Sequence, residues 1–562
     1  LRRFIPCAVS SVLPVALAII PLTSPLFLTS LFTGIAWIVT YPLFYYISNH
    51  KVSSDFGFHF DTVFGLYIIG WLTGLKILTI AFNLLPSVLL PVIVSIEFLI
   101  FLIPVSQWIY YYLYHSCITE DGMSMIQDTH YNEIIEFFKQ FSLLFNIIIF
   151  AAAAALYAVF ITVNLNLTTV NLTPAQYLPI LCLTAFLSYY LWKTGKTEKR
   201  QGVFARTGII ELWLEVKKYK EKTMLYQTNM QERIKDLTVT PAQPQFSKPS
   251  TIIMVIGESA SRDYMSAFTD YPVETTPWLS DKKSDKHFIL YPNAYSCEAN
   301  TVSALERALT EYNQYNDKQF YTSCSIIDIA HKAGYTTYWY SNQGHLGSAD
   351  TPVTLVANTS DTAKWTKQNL NKVQYDEALL DYLDEVDPTK NNFVVVHLKG
   401  NHFNFINRYP QSFAKFSEPG KYDLIPNYID SIRYTDYILQ KIWEYGTKKL
   451  NLQAMLYFSD HATIPDKRRA PDFGGFATVR IPMFTYFSDE YTAKFPQTVA
   501  TLRKNEHQYF TNDLAYDLIC GIFNIKSNHF DEKNCFASPL YQFTRETLKT
   551  NLGKVNISDD VN

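Results

Sequence analysis

A chain of 562 residues is too long for one ordinary core and predicts at least two domains. Its formal net charge of −3 is near balance and supplies none of the basic excess that a nucleic-acid partner requires, so no such partner is expected. The residues are unevenly spread: 1–194 holds long apolar runs with few charges, while 195–562 has the mixed composition of a soluble globule. A membrane domain followed by a soluble one is expected.

The apolar runs fall at roughly 4–23, 26–47, 61–82, 85–114, 142–164 and 176–193. A helix needs about 20 apolar residues to cross the hydrocarbon core, so most are long enough. The first follows Arg2 and Arg3, lacks a small-residue cleavage site and leads almost directly into the second. It therefore reads as a retained membrane helix and not a signal peptide. The chain opens on Leu1, and its true start is expected upstream.

Helix parity decides on which side the soluble part lies. Arg2 and Arg3 favour a cytoplasmic start; six crossings would return the soluble domain to the cytoplasm and five would export it. The cluster Lys193, Lys196, Lys199 and Arg200 favours the cytoplasm. Cys297, Cys324, Cys520 and Cys535 fall into two sequence-local pairs, which suit disulfides in an oxidising compartment. Residue patterns alone leave both sides open.

Between the fourth and fifth runs, 115–141 carries Glu120, Asp121, Asp128, His130, Glu133 and Glu136. It reads either as a solvated loop or as a lip touching lipid headgroups. In 203–236 apolar residues recur at helical spacing among lysines, which predicts an amphipathic helix at the membrane interface. Pro241, Pro244 and Pro249 mark a linker, so 195–250 separates the membrane domain from a soluble domain at 251–562. There, apolar β-rich runs at Ile252–Ile256, Tyr335–Tyr340, Phe393–Leu398, Ala454–Phe458 and Ile481–Phe487 alternate with helical patterns, the signature of a parallel α/β sheet.

Three of these runs end in chemistry. Glu258 follows the first and Asp460-His461 follows the fourth, at the strand edge where open α/β sheets bind ligands. Glu, Asp and His are the oxygen and nitrogen ligands of a catalytic zinc. Thr301 precedes a helical pattern at Val302–Leu309 and has two readings. It is an ordinary N-cap, or a nucleophile activated by a metal held by Glu258, Asp460 and His461. His397 and His402 end another strand and are either structural or placed to hold a second metal or phosphate, or to act as general acid and base.

An ordered set of motifs runs through the chain: Val255-Ile-Gly-Glu-Ser259 with Arg262, Tyr271-Pro-Val-Glu-Thr-Thr-Pro277, Cys297-x-x-x-Thr301, Trp339 with Asn342-Gln343, His397-x-x-Gly-x-His402, Arg408-Tyr-Pro410 and Tyr457-Phe-Ser-Asp-His461. With it the sequence resembles the membrane-bound phosphoethanolamine transferases of the alkaline phosphatase/sulfatase superfamily, closest to the branch that modifies lipopolysaccharide core sugars. The resemblance implies about five transmembrane helices in 1–194 and a periplasmic sulfatase-like α/β domain in 251–562, anchored in a bacterial inner membrane. It implies a zinc held by Glu258, Thr301, Asp460 and His461, with Thr301 as nucleophile and His397 and His402 on the substrate or a second zinc. Phosphatidylethanolamine would be the donor and a lipopolysaccharide glycolipid, at core sugar or lipid A, the acceptor.

The sequence departs from the family in two places. Ala462 replaces the usual glycine after Asp-His, and Asp472–Arg480 lacks a histidine that the family places there. That loss weakens any second zinc site and leaves Arg468, Arg469 or Arg480 to supply positive charge. Two rival readings remain: a related phosphoglycerol transferase or phosphate/sulfate ester hydrolase, and an inactive membrane scaffold that binds glycolipid.

Overall fold

The long apolar runs are helices, the conformation that satisfies every backbone N–H and C=O within one segment. In the computed structural model they are α1 (Ile5–Ala18), α2 (Pro25–Asn49), α3 (Phe58–Ala81), α4 (Pro86–Tyr114), α5 (Leu143–Leu165) and α6 (Pro174–Gly195). The structure describes residues 5–49, 58–115, 142–165, 170–195, 203–343, 351–366, 373–467 and 473–561, with scattered positions in 117–139. The acidic residues singled out in 115–141, Lys196, Lys199 and Arg200, and Arg468 and Arg469 lie outside the described residues.

The chain divides into two units, Leu1–Lys218 and Tyr219–Asn562. In the first, α2, α3, α4 and α5 are long and apolar enough to cross a membrane. The 14 residues of α1 rise only about 21 Å, short of a hydrocarbon core of about 30 Å. Inside the bundle Lys76 on α3 lies 2.5 Å from Glu97 on α4, both fully buried. The Lys76 ammonium also donates to Thr29 and Ser30 on α2 at 2.8 and 3.1 Å. A buried ion pair of this kind fixes which helix faces meet. A seventh helix, α7 (Gly208–Thr223), opens at the amphipathic stretch. Its apolar residues Ile209, Leu212 and Val216 are buried with Tyr41, Tyr110 and Ile118, so that face packs on protein.

The second unit is built on a seven-stranded sheet: β1 (Thr251–Gly257), β2 (Phe288–Leu290), β3 (Thr336–Ser341), β4 (Thr362–Trp365), β5 (Asn392–His397), β6 (Leu452–Ser459) and β7 (Met483–Phe487). The spatial order is β2-β7-β6-β1-β5-β3-β4. Every residue of β1 is buried. Ile252, Met254 and Ile256 enter the core on one face of the sheet, and Ile253 and Val255 the core on the other. Helices cover both faces, which is why these strands read as unbroken apolar runs.

The sheet differs from the all-parallel expectation at β7, which runs antiparallel to both β6 and β2. A parallel neighbour needs a crossover, usually a helix. Among the described residues the β6–β7 connection has only the one-turn helix Phe476–Thr478, so the chain returns in the opposite direction.

Candidate active site

β1 and β6 are adjacent and parallel, with Gly257 paired to Ser459. Their registers therefore deliver Glu258 and Asp460 side by side one residue beyond the sheet. β5 pairs with β1 on its other side and places His397 opposite Ile256. β3 ends at Ser341, opposite His397. Four strand ends thus meet at one carboxyl edge.

At that edge Thr301 Oγ1 lies 3.3 Å from Glu258 Oε2 and 3.2 Å from His461 Nε2. His461 Nε2 is 3.3 Å from Asp460 Oδ2 and 3.5 Å from Glu258 Oε1. Glu258, Asp460 and His461 are all buried, and one ligand atom from each falls within a 4.8 Å cluster. His461 Nδ1 is 2.9 Å from the Ala462 carbonyl. A carbonyl only accepts, so Nδ1 carries the proton and Nε2 turns its lone pair toward Thr301. Two buried carboxylates and a buried imidazole nitrogen, with a hydroxyl beside them, are a donor set able to hold a divalent cation.

Thr301 opens helix α8 (Thr301–Ala308), and the cap belongs to its neighbour. Asn300 Oδ1 accepts from the Val302 amide at 3.1 Å, so Thr301 is the first helical residue and its hydroxyl is not the capping group. The N-cap reading of Thr301 is thereby corrected.

Residues beyond the candidate ligands hold this arrangement. Ser259 adopts φ 55°, a left-handed conformation rare for a residue with a Cβ. Its amide donates to Asp460 Oδ1 at 2.9 Å and its hydroxyl to Glu258 Oε1 at 2.7 Å. Asn512 receives the Cys297 amide at 2.9 Å and donates to the Asp460 carbonyl at 2.7 Å, tying the segment before Thr301 to the Asp460-His461 turn. Asp376 is fully buried; burial lifts its carboxyl above the usual range even though Asn342 and the amides of Lys399 and Gly400 donate to it. These bonds fix the loop after β5. Gly400 there has φ 50°, and a Cβ would stand 2.9 Å from the Glu258 carbonyl, so the loop packs directly on the Glu258 backbone.

His397 and His402 flank that loop. His397 is buried edge-on to Trp339, with ring centroids 6.2 Å apart. Burial, with a smaller contribution from Lys399, pushes its pKa down to about 3, so the ring is neutral near pH 7. Gln343, beyond β3, donates to Glu258 Oε2 at 3.3 Å and to the Leu398 carbonyl at 2.6 Å, and Lys399 reaches Gln343 Oε1 at 3.4 Å. Arg480 is engaged elsewhere: it bonds Asp263 at 3.0 Å and Asp560 through Nε at 2.8 Å, so its charge is spent on a buried network.

The four cysteines expected as disulfide candidates are a further correction. Cys297, Cys324, Cys520 and Cys535 are all buried free thiols. Cys297 Sγ faces the Ala304 carbonyl at 4.0 Å and Cys324 Sγ the Arg233 carbonyl at 3.5 Å, so nearness in sequence does not aim the sulfurs at each other.

Known proteins share this frame. A protein-family model described as Sulfatase matches residues 250–519. The phosphoethanolamine transferase EptC of Escherichia coli is 29% identical over 276 residues, covering 45% of this chain and 47% of its own length. The phosphoethanolamine transferase CptA of Salmonella typhimurium is 26% identical over 320 residues, 53% of this chain and 54% of its own. The chain spans about half the length of the curated relatives it matches. The integral membrane lipooligosaccharide phosphoethanolamine transferase A of Neisseria meningitidis superposes with a TM-score of 0.59 over 91% of this chain and 98% of that one, at 15% identity, and so shares the fold.

The chain thus combines an apolar helical unit with an α/β sheet of the sulfatase type over residues 250–519. Phosphoethanolamine transferases recur among the proteins it is similar to.

Proposed function

We propose that the chain transfers phosphoethanolamine from phosphatidylethanolamine to a lipopolysaccharide acceptor, core sugar or lipid A, through a phosphoethanolaminyl group carried on Thr301. It acts from a bacterial inner membrane with its catalytic unit in the periplasm. The observation that carries this reading is the position of Thr301 Oγ1, between Glu258 Oε2 at 3.3 Å and His461 Nε2 at 3.2 Å.

The donor set fits zinc, which Glu258, Asp460, His461 and Thr301 would hold. Bound there, zinc supplies Lewis acidity that polarises phosphoryl oxygens and favours the ionised threonine hydroxyl. In the first step Thr301 Oγ1 bonds to phosphorus as the phosphorus–oxygen bond to diacylglycerol breaks. The hydroxyl proton has Glu258 Oε2 within reach, and diacylglycerol leaves with a proton on its new hydroxyl. In the second step an acceptor oxygen bonds to phosphorus as the phosphorus–Oγ1 bond breaks, and Thr301 Oγ1 regains the proton that left in the first step or the one the acceptor hydroxyl gives up. The first turn of α8 offers backbone N–H groups to the phosphoryl oxygens. His402, which follows the loop packed on the Glu258 backbone, is assigned to the substrate. His397, held neutral near pH 7 by burial, takes no part in proton transfer in this reading.

Release of diacylglycerol from labelled phosphatidylethanolamine tests the reading. Zinc-replete protein releases it, and Thr301→Ala and Asp460→Asn do not. No release by the zinc-replete protein would overturn the reading. Accumulation of free phosphoethanolamine with acceptor present would replace it with a hydrolase.

A further inference from the structure

Away from Thr301, Glu311, Cys324 and His529 bring a carboxylate oxygen, a thiol sulfur and an imidazole nitrogen within 4.8 Å of one another. Glu311 and Cys324 are buried and His529 is partly exposed. We propose that these three residues form a second metal site, for zinc or another borderline divalent transition ion, which bolts the segment after the nucleophile helix to the C-terminal part of the domain.

Three separate parts of the chain form the cluster. Glu311 lies just beyond α8, which begins with Thr301. Cys324 immediately precedes helix α9 (Ile326–Lys332) and its N-cap Ser325. A backbone bridge from Thr310 to Ser325 and the bond from the Glu311 amide to the Cys324 carbonyl at 3.0 Å fix the first two ligands relative to each other. His529 follows a two-residue strand, Lys526–Ser527, that pairs antiparallel with Val239–Thr240.

The donors match the ion class. Sulfur, imidazole and carboxylate together suit zinc or cobalt and do not suit magnesium or calcium. Glu311 Oε1 now lies 2.9 Å from His529 Nδ1 and 2.9 Å from the Cys324 amide. Two ligands on a tetrahedral zinc, with bonds of about 2.0 Å, stand about 3.3 Å apart. The ion would thus replace the proton between Nδ1 and Oε1 after a spread of a few tenths of an ångström. Lys318 is the resident counter-charge; its side chain is 47% exposed and free to swing into water when a cation enters. Access and a fourth ligand come from an adjoining polar cavity of about 250 Å³, lined by Glu311, His529, Asp517, Asn528 and Asn534 among others.

The sulfur separates this site from the catalytic one, whose donors are all oxygen and nitrogen. The full chain in detergent is stripped of metal and titrated with cobalt(II). The proposal expects a sulfur-to-cobalt charge-transfer band that persists in Asp460→Asn and is lost in Cys324→Ser. His529→Gln, altered at a partly exposed position, should weaken the cobalt titration read at that band by at least about 10-fold. Retained diacylglycerol release by His529→Gln would show that the variant is folded. No band in the unaltered protein, a band that survives Cys324→Ser, or an unchanged titration in His529→Gln would each overturn the proposal, leaving Lys318–Glu311–His529 as a structural network.

Discussion

The amide of Ser259 donates to Asp460 Oδ1 at 2.9 Å, joining two residues 201 positions apart in sequence. This bond locks the ends of neighbouring strands together at the point where each supplies a metal-ligand candidate. Ser259 also bonds Glu258 through its hydroxyl, so one residue orients two carboxylates.

Ser259→Ala removes only the hydroxyl bond to Glu258. Loss of a group that orients a ligand costs about 10-fold or more in metal affinity at such sites. Zinc titration of the stripped protein should show this drop with little change in thermal unfolding. Ser259→Val should unfold earlier as well, because a β-branched residue strains at φ 55°.

Asn300→Ala removes the α8 cap, which is worth about 1 kcal/mol. Thermal unfolding should shift down, and turnover should fall several-fold as the first turn carrying Thr301 loosens. Asn300→Ser should restore most of both, because serine caps about as well.

Burial depresses the His397 pKa from 6.5 to about 3. Between these values the unfolded chain holds a proton there that the folded chain does not, so stability rises with pH. The contribution is complete above pH 6.5 and is lost by about 1.4 kcal/mol per pH unit as pH falls toward 3. His397→Gln should flatten the dependence of denaturant midpoint on pH between 6.5 and 5 relative to the unaltered protein. Equal slopes would contradict this account of a neutral, buried ring.

Lys76→Met leaves Glu97 buried without its counter-charge. Breaking such a pair costs about 3–5 kcal/mol, whereas replacing both partners by apolar groups is often near neutral. Lys76→Met should lower detergent-solubilised thermal stability sharply, and adding Glu97→Leu should recover most of the loss. A double variant no better than the single one would show that the pair is not coupled.

The candidate site was legible where an apolar run ends in a residue that could ligate a metal. Glu258, Asp460 and His461 stand out because burial on both faces makes their strands continuous in hydrophobicity. Long-range partners carry no such mark. Asn512 and Asp376 are ordinary polar residues until folding brings them beneath Asp460 and Gly400. Strand direction at β7 was hidden because an apolar run reads the same either way. The helical pattern after Thr301 located α8, but which residue caps it depended on the Asn300 rotamer, which spacing does not encode. The cysteine spacing misled because two thiols near in sequence can face different backbone carbonyls.

The covalent role of Thr301 is the central claim, and intact-mass analysis tests it most directly. Zinc-loaded protein incubated with phosphatidylethanolamine, without acceptor, should gain the mass of one phosphoethanolamine group, and Thr301→Ala should gain none. An unmodified wild-type mass alongside diacylglycerol release, or an equal adduct on Thr301→Ala, would contradict it.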